Sequence, residues 1–272
     1  MDYFVLATIF ILGLMVGSFL NVVIFRLNTE EKIVNSRSKC LFCSHKLAWY
    51  DLFPVASFLA LRGKCRYCKE KLSVQYPLVE IAAAVLITML LISVFGGGDF
   101  STLNIVRFLL GVYLFSALVV IFVFDIKHYI IPDEVVFPAI GIAAILVLIG
   151  ASPLVGGWDK SMLLDAVGGA ILTAGFFQFL VTITEGKGMG GGDVKLGLLL
   201  GIILGIEKSI LMLFISFVSG AVIGVLLIGL RRKKMSSAIP FAPFLILAFF
   251  VSYFYGSEII GWYFRTFLEI QM

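Results

Sequence analysis

The chain has 272 residues, of which 61% are hydrophobic and only 14% charged, and its net charge is +4 at pH 7. A mean hydropathy of +1.08 excludes a soluble domain, because apolar runs that repeatedly exceed about 18 residues have lipid as their solvent. The modest positive charge lacks the basic stripe of a nucleic-acid-binding surface, so no nucleic-acid partner is expected and membrane lipid is.

The first apolar run covers residues 3–25. Asp2 stands where a signal peptide has a basic n-region, and the run is too long for a signal h-region, so a retained first helix is expected. Further runs at 75–95, 103–124, 130–150, 162–184, 194–206, 208–230 and 239–262 predict an all-α polytopic membrane protein of about eight transmembrane helices. The 194–206 and 208–230 runs are divided only by Glu207 and Lys208, which suggests a shortened or tilted helix. No internal repeat is expected.

Segment 27–73 is too polar to span. It predicts a cytoplasmic insertion between a first helix at 1–26 and a membrane domain at 74–272. The segment from Arg26 to Lys71 is dense in Lys and Arg, and residues 231–234 read Arg-Arg-Lys-Lys. Cytoplasmic loops retain basic residues, so both belong inside and the N-terminus outside.

All four cysteines lie in the insertion, as Cys40-Leu-Phe-Cys43 and Cys65-Arg-Tyr-Cys68. Two CxxC pairs at this separation favour a tetrathiolate zinc site, and the metal supplies a cross-link to a segment too small to build a core. Two disulfides or four unrelated thiols are the alternatives; disulfides are disfavoured on the reducing side of a membrane. His45 could replace a ligand, though a solvated loop histidine accounts for it.

Ionisable groups at membrane depth cost on the order of 3 kcal/mol and invite functional hypotheses. Asp125 ends the apolar run Val-Val-Ile-Phe-Val-Phe-Asp, and Asp193 follows Gly188-Met-Gly-Gly-Gly and precedes Lys195-Leu196. Alternating spans bring both to the cytoplasmic face. The glycines, Gly190 and Gly192 among them, let an extended peptide approach closely. Two carboxylates sharing one proton can activate water and polarise a scissile carbonyl. Gly96-Gly97-Gly98-Asp99 has the same Gly-x-Gly-Asp pattern but falls in an outer loop, where a glycine turn explains it. Asp133 follows Pro132 and suits the positive N-terminal end of a helix. Asp165 shows no evident partner.

These residues together resemble the bacterial type IV prepilin peptidases, membrane aspartic proteases of the Gly-x-Gly-Asp kind. The likeness is carried by Gly17-Ser-Phe-Leu-Asn21-Val-Val-Ile24 with Arg26, the two CxxC pairs, Arg62-Gly63-Lys-Cys65, Ser73 and Tyr76-Pro-Leu-Val-Glu80. It continues through Asp125 to Ile131-Pro-Asp133, Gly190-Gly-Gly-Asp193 with Lys195-Leu196, and Ile239-Pro240-Phe241. It implies that Asp125 and Asp193 are the catalytic pair, with Gly190, Gly192 and Lys195 in the active-site loop. The implied substrates are prepilins or pseudopilins of a type IV pilus or type II secretion system, cut after a glycine ending a basic leader at the cytoplasmic face of the inner membrane.

The resemblance further implies N-methylation of the new terminus with S-adenosylmethionine, with Asn21 and Glu80 as helpers or as polar residues bonding across helices. Leu41 stands where the family often has proline, and Ala242 where it often has glycine. A peptidase without methyl transfer is the alternative. An ion-coupled transporter is a further one, and it would need carboxylates near the midplane and inverted repeats.

Overall fold

A computed structural model describes residues 3–27, 29, 38–148, 150, 160–186, 189–230 and 239–267. The 231–234 basic loop, Lys32, Arg37, Lys187 and Gly188 lie outside the described residues. The helices are α1 (Tyr3–Arg26), α2 (Ala56–Ala60), α3 (Gln75–Phe95), α4 (Thr102–His128), α5 (Asp133–Leu148), α6 (Lys160–Ile183), α7 (Gly191–Gly229) and α8 (Ala242–Phe267). No extended strand occurs among the described residues, only two isolated β-bridges. Lipid offers no hydrogen bonds, so an apolar chain must satisfy its backbone within each segment, and helices do so.

Six helices, α1, α3, α4, α6, α7 and α8, are long and apolar enough to cross a membrane. Eight spans were expected, and the two counts reconcile at two places. The expected 130–150 helix is shortened to the 16 residues of α5, because Tyr129 takes a left-handed φ of 58° and Pro132 precedes the first turn. The expected pair 194–206 and 208–230 abuts within α7.

The chain divides into two compact units, Met1–Val120 and Ile121–Met272. In the first, α1 packs on α3 through small residues. A Cβ on Gly13 would lie 2.6 Å from Cα of Ala84, and one on Gly17 would lie 2.5 Å from Cα of Glu80. The glycines four residues apart therefore let two backbones touch, the route to packing energy where lipid supplies no hydrophobic drive.

In the second unit the same device runs down α7. Gly197, Gly201 and Gly205 recur every fourth residue on one face and meet Gly169, Thr173 and Phe177 of α6. The Thr173 hydroxyl donates to the Gly197 carbonyl at 2.7 Å across the seam. Gly205 then breaks the helix, with φ 73° and ψ −173°, a region open essentially to glycine alone.

The break is a reversal. A straight helix would hold Gly197 and Phe217 about 30 Å apart, yet they contact adjacent residues of α6. Gly197 lies against the Phe177 ring, and Phe217 lies 5.6 Å from the Phe176 ring, centroid to centroid. The expected division near Glu207 and Lys208 thus falls at Gly205, because a reversal needs a backbone conformation rather than a charge. The second arm, 206–229, runs antiparallel to α8: Gly220 sits by Phe241 and Phe244, and Gly256 by the stem of Lys208.

Candidate active site and metal centre

Asp125 lies in the last turn of α4, buried to 6% exposure. Its carboxylate accepts a hydrogen bond from the backbone N–H of Ala242, the first residue of α8, while Oδ2 has no hydrogen-bond partner among the described residues. The first N–H groups of a helix have no partner within it and carry partial positive charge, so the start of α8 is a natural seat for this anion.

Asp193 is half-buried in the first turn of α7 and accepts from the backbone N–H of Gly190. Its carboxyl group lies within electrostatic range of Asp125. The structure therefore brings the two aspartates within reach of each other's field, across 68 residues of sequence.

The glycine segment before Asp193 is held on one side. A Cβ on Gly192 would sit 3.2 Å from Cβ of Ile131, tighter than ordinary contact. Lys195 extends from the same turn to Asp133 of α5, Nζ to Oδ1 2.7 Å, with its ammonium 5.0 Å from the centre of the Phe137 ring. Asp133 thus serves as more than a favourable charge at a helix start. It is one half of the ion pair that ties α5 to α7.

In the insertion the four cysteines converge. Their sulfurs all lie within 4.8 Å of one another, and Cys40 and Cys68 are 3.9 Å apart. Zn–S bonds of about 2.3 Å in a tetrahedron place sulfurs about 3.8 Å apart, so the set fits a metal and is too open for disulfides. All four are free thiols.

The two knuckles are copies of one device. Lys39-Cys-Leu-Phe-Cys-Ser-His-Lys46 and Lys64-Cys-Arg-Tyr-Cys-Lys-Glu-Lys71 share Lys, Cys, Cys and Lys at an offset of 25. Each closes with a bridge between its lysines, and each turns through a left-handed residue after its second cysteine, Ser44 (φ 55°) and Lys69 (φ 62°). In each, that residue's N–H returns to the first cysteine's carbonyl, at 2.9 and 3.0 Å. This internal repeat was not expected from the sequence.

Between the knuckles, Asp51 receives Arg66 Nε at 2.7 Å, the Tyr67 hydroxyl at 3.1 Å and the Ala48 N–H at 3.2 Å. Burial opposes ionisation of Asp51, but these bonds outweigh it and hold its carboxyl below the usual range. His45 stacks on Tyr67 at 3.7 Å and lies outside the sulfur cluster.

Asn21 and Glu80 are both buried in the first unit. Asn21 donates to the carbonyls of Tyr76 at 3.1 Å and Gly17 at 3.3 Å and accepts from Gln75 at 3.3 Å, linking α1 to α3. Glu80 accepts the Val55 N–H at 2.7 Å, so α3 holds the start of α2. Asp99 accepts from the Ser101 N–H at 3.0 Å and from Asn104 Nδ2 at 3.0 Å, a turn that caps the start of α4.

Two family models divide the chain much as its structure does. The Bacterial Peptidase A24 N-terminal domain matches residues 11–94, and the Type IV leader peptidase family matches residues 112–225. The prepilin leader peptidase/N-methyltransferase of Pseudomonas putida is 35% identical, over 94% of this chain and 92% of its own length. The chain belongs to the type IV leader peptidase family. Proteins of the same name from Bacillus subtilis (strain 168) and Aeromonas hydrophila are 32% and 31% identical, each over 96% of this chain and over 98% and 94% of their own lengths. No solved structure matches.

The family match at 112–225 spans Asp125, Asp133, Asp193 and Lys195, and it also contains two residues that sequence reasoning left without a role. Asp165 of α6 accepts the Ile206 N–H at 2.9 Å, capping the second arm of α7 where it restarts after Gly205. Gly205 has no room for a side chain, since a Cβ there would run into the Asp165 carboxylate. The glycines at every fourth position from 197 to 205 were the readable signal for the seam. Nothing local announced the 41-residue link from Asp165 to Ile206.

Proposed function

We propose that this chain removes the leader from type IV prepilins or pseudopilins, with Asp125 and Asp193 acting together on one water, and then methylates the new N-terminus. The observation that carries this reading is the pair itself: Asp125 with a buried Oδ2 that has no hydrogen-bond partner among the described residues, and Asp193 within electrostatic range of it. Like charges so placed favour a state in which the pair holds one proton.

The ionised carboxylate takes a proton from water as the oxygen attacks the scissile carbonyl. The protonated partner donates to the carbonyl oxygen, and the tetrahedral species collapses with a proton passing to the leaving amine. The Ala242 N–H keeps Asp125 oriented, and the Lys195–Asp133 pair keeps the Gly190–Asp193 segment against α5. Gly190, where an added side chain would meet only ordinary contact, leaves space for the extended substrate backbone, and Gly192 lets the segment close on Ile131.

Cleavage frees an α-amine of pKa about 8, and S-adenosylmethionine supplies an electrophilic methyl group when bound. Asn21 and Glu80 serve this half of the protein by holding α1, α3 and the insertion together. The four cysteines hold structural zinc. The protein works in the bacterial inner membrane with its N-terminus outside and both activities at the cytoplasmic face, as the basic residues of 26–73 and 231–234 indicate.

The test is incubation of purified protein with a prepilin and S-adenosylmethionine, followed by mass analysis. The expected product lacks its leader and carries one added methyl. Asp125→Asn and Asp193→Asn each abolish cleavage, and a single variant that cuts at the wild-type rate refutes the pair. A cleaved but unmethylated product in the presence of the donor leaves a peptidase alone.

A further inference from the structure

The insertion carries exposed apolar surface beside its cysteine knuckles, and among the described residues only Tyr50 of it is engaged by a knuckle, with the Arg66 guanidinium 5.0 Å from the centre of its ring. Trp49 is 74% exposed, Phe53 54% and Leu59 67%. The Trp49 ring meets Tyr50 edge-on at 5.8 Å and Phe53 at 5.7 Å, so the three rings form one outward cluster on the 3₁₀ turn Trp49–Leu52 and its exit. These side chains belong to no membrane-crossing helix.

Where this edge sits is set by Glu80. Glu80 lies more than a turn inside α3, about 7 Å along the axis from Gln75 by helix rise, and its carboxylate binds the N–H of Val55 at 2.7 Å. Val55 takes a φ of 58° there, an unusual conformation for a β-branched residue. The rings at 49–53 are therefore drawn down to the end of a membrane helix rather than held away from it. The same insertion has seven basic side chains against two acidic between residues 38 and 74. Tryptophan and tyrosine favour the headgroup level of bilayers, and basic residues around them favour anionic lipid.

We propose that the edge of the insertion carrying Trp49, Tyr50, Phe53 and Leu59 lies on the headgroup interface of the bilayer that α1 and α3 enter, as an interfacial anchor for the metal knuckles. The lipid surface is the partner, with an anionic headgroup layer opposite the lysines of the knuckles. The start of α3 fixes one end of the insertion, Glu80 fixes its middle at Val55, and the aromatic edge fixes its tilt. This inference does not depend on the catalytic reading of Asp125 and Asp193.

The full-length Trp158→Phe/Trp262→Phe variant retains Trp49 as its single tryptophan and leaves the insertion unaltered. It is reconstituted into vesicles of phosphatidylethanolamine and phosphatidylglycerol, with and without acyl chains brominated near the glycerol. The expected result is blue-shifted Trp49 emission, loss of intensity in the brominated vesicles, and protection from aqueous acrylamide relative to the free amino acid. Emission at the position of a fully hydrated indole, quenched freely by acrylamide and untouched by bromine, overturns the proposal. Protection that arises only when a prepilin is added also overturns it, and assigns the aromatic edge to the substrate.

Discussion

Replacing Gly205 by alanine tests the reversal of α7 on which the register of Asp193 depends. The backbone at φ 73° and ψ −173° costs a residue with a Cβ about 1 to 3 kcal/mol. That Cβ also collides with the Asp165 carboxylate and displaces it from the Ile206 N–H, losing a helix cap of about 1 kcal/mol. The expected destabilisation is about 2 to 4 kcal/mol. Asp165→Ala alone loses only the cap, about 1 kcal/mol. The double variant has no carboxylate left to collide with and no cap left to lose, so it should be no less stable than Gly205→Ala, a coupling of about 1 kcal/mol. Unfolding in mixed micelles titrated with dodecyl sulfate measures all three. Full additivity of the two substitutions, or a Gly205→Ala cost below about 0.5 kcal/mol, refutes the reversal as the source of the strain.

Purified protein should contain one zinc per chain by atomic absorption, and Cys40→Ser or chelation should expose residues 38–74 to proteolysis while α1 and α3 stay protected; a metal-free protein with an intact insertion contradicts the zinc reading. Asp51 has a depressed pKa in the folded insertion, so its contribution to stability is complete above the ordinary carboxylate pKa of about 4 and is lost as pH falls through the depressed value. Asp51→Asn should remove that share of the acid dependence. Amide exchange in the insertion across acid pH checks it, thiolate protonation being common to both proteins. Ala242→Pro deletes the N–H that Asp125 receives and also adds ring carbons at a fully buried position, so kcat should fall by at least the roughly 10- to 100-fold equivalent of one charged hydrogen bond, and further than in Ala242→Val, which adds bulk but keeps the N–H. Ala242→Gly should retain activity, and an unchanged kcat in Ala242→Pro removes Ala242 from the site.

Which features could be read in advance follows from the range of the interactions involved. Apolar runs and the CxxC pairs are local patterns, and they placed the helices and the cysteine cluster directly. Asp99 was separable from Asp193 because its surroundings lack Lys195-Leu196, and its bonds to Ser101 and Asn104 are those of a turn. The Lys-Cys-x-x-Cys-x-x-Lys copy at 39–46 and 64–71 was legible at a fixed offset but hidden by dissimilar residues between the cysteines. The break at Gly205 was misplaced to Glu207 and Lys208 because charge in an apolar run looks like a boundary, whereas backbone freedom decides where a helix can turn. Glu80 and Asn21 were visible as buried polar residues in helices, but their partners Val55 and Tyr76 lie 25 and 55 positions away.

The position held by Ala242 shows what the aspartate site asks of its neighbours. Glycine at this place in the family suggests a need for conformational freedom, and alanine then looks like a defect. In the structure Ala242 is fully buried, opens α8, and is absent from the positive-φ residues, so the freedom goes unused. What the position supplies is a backbone N–H and the absence of bulk, and alanine provides both. The same economy holds at Asp193, which sits in the first turn of its own helix and takes the Gly190 N–H. Each carboxylate is therefore met by the positive end of a helix, α8 at Asp125 and α7 at Asp193. Two anions brought together in a water-poor setting repel strongly, and two helix starts aimed at them offset that repulsion without adding a side-chain cation that would lock both in the ionised state. The exchange of a single proton proposed for the pair needs that balance, and it is consistent with the Lys195 ammonium being engaged by Asp133 at 2.7 Å.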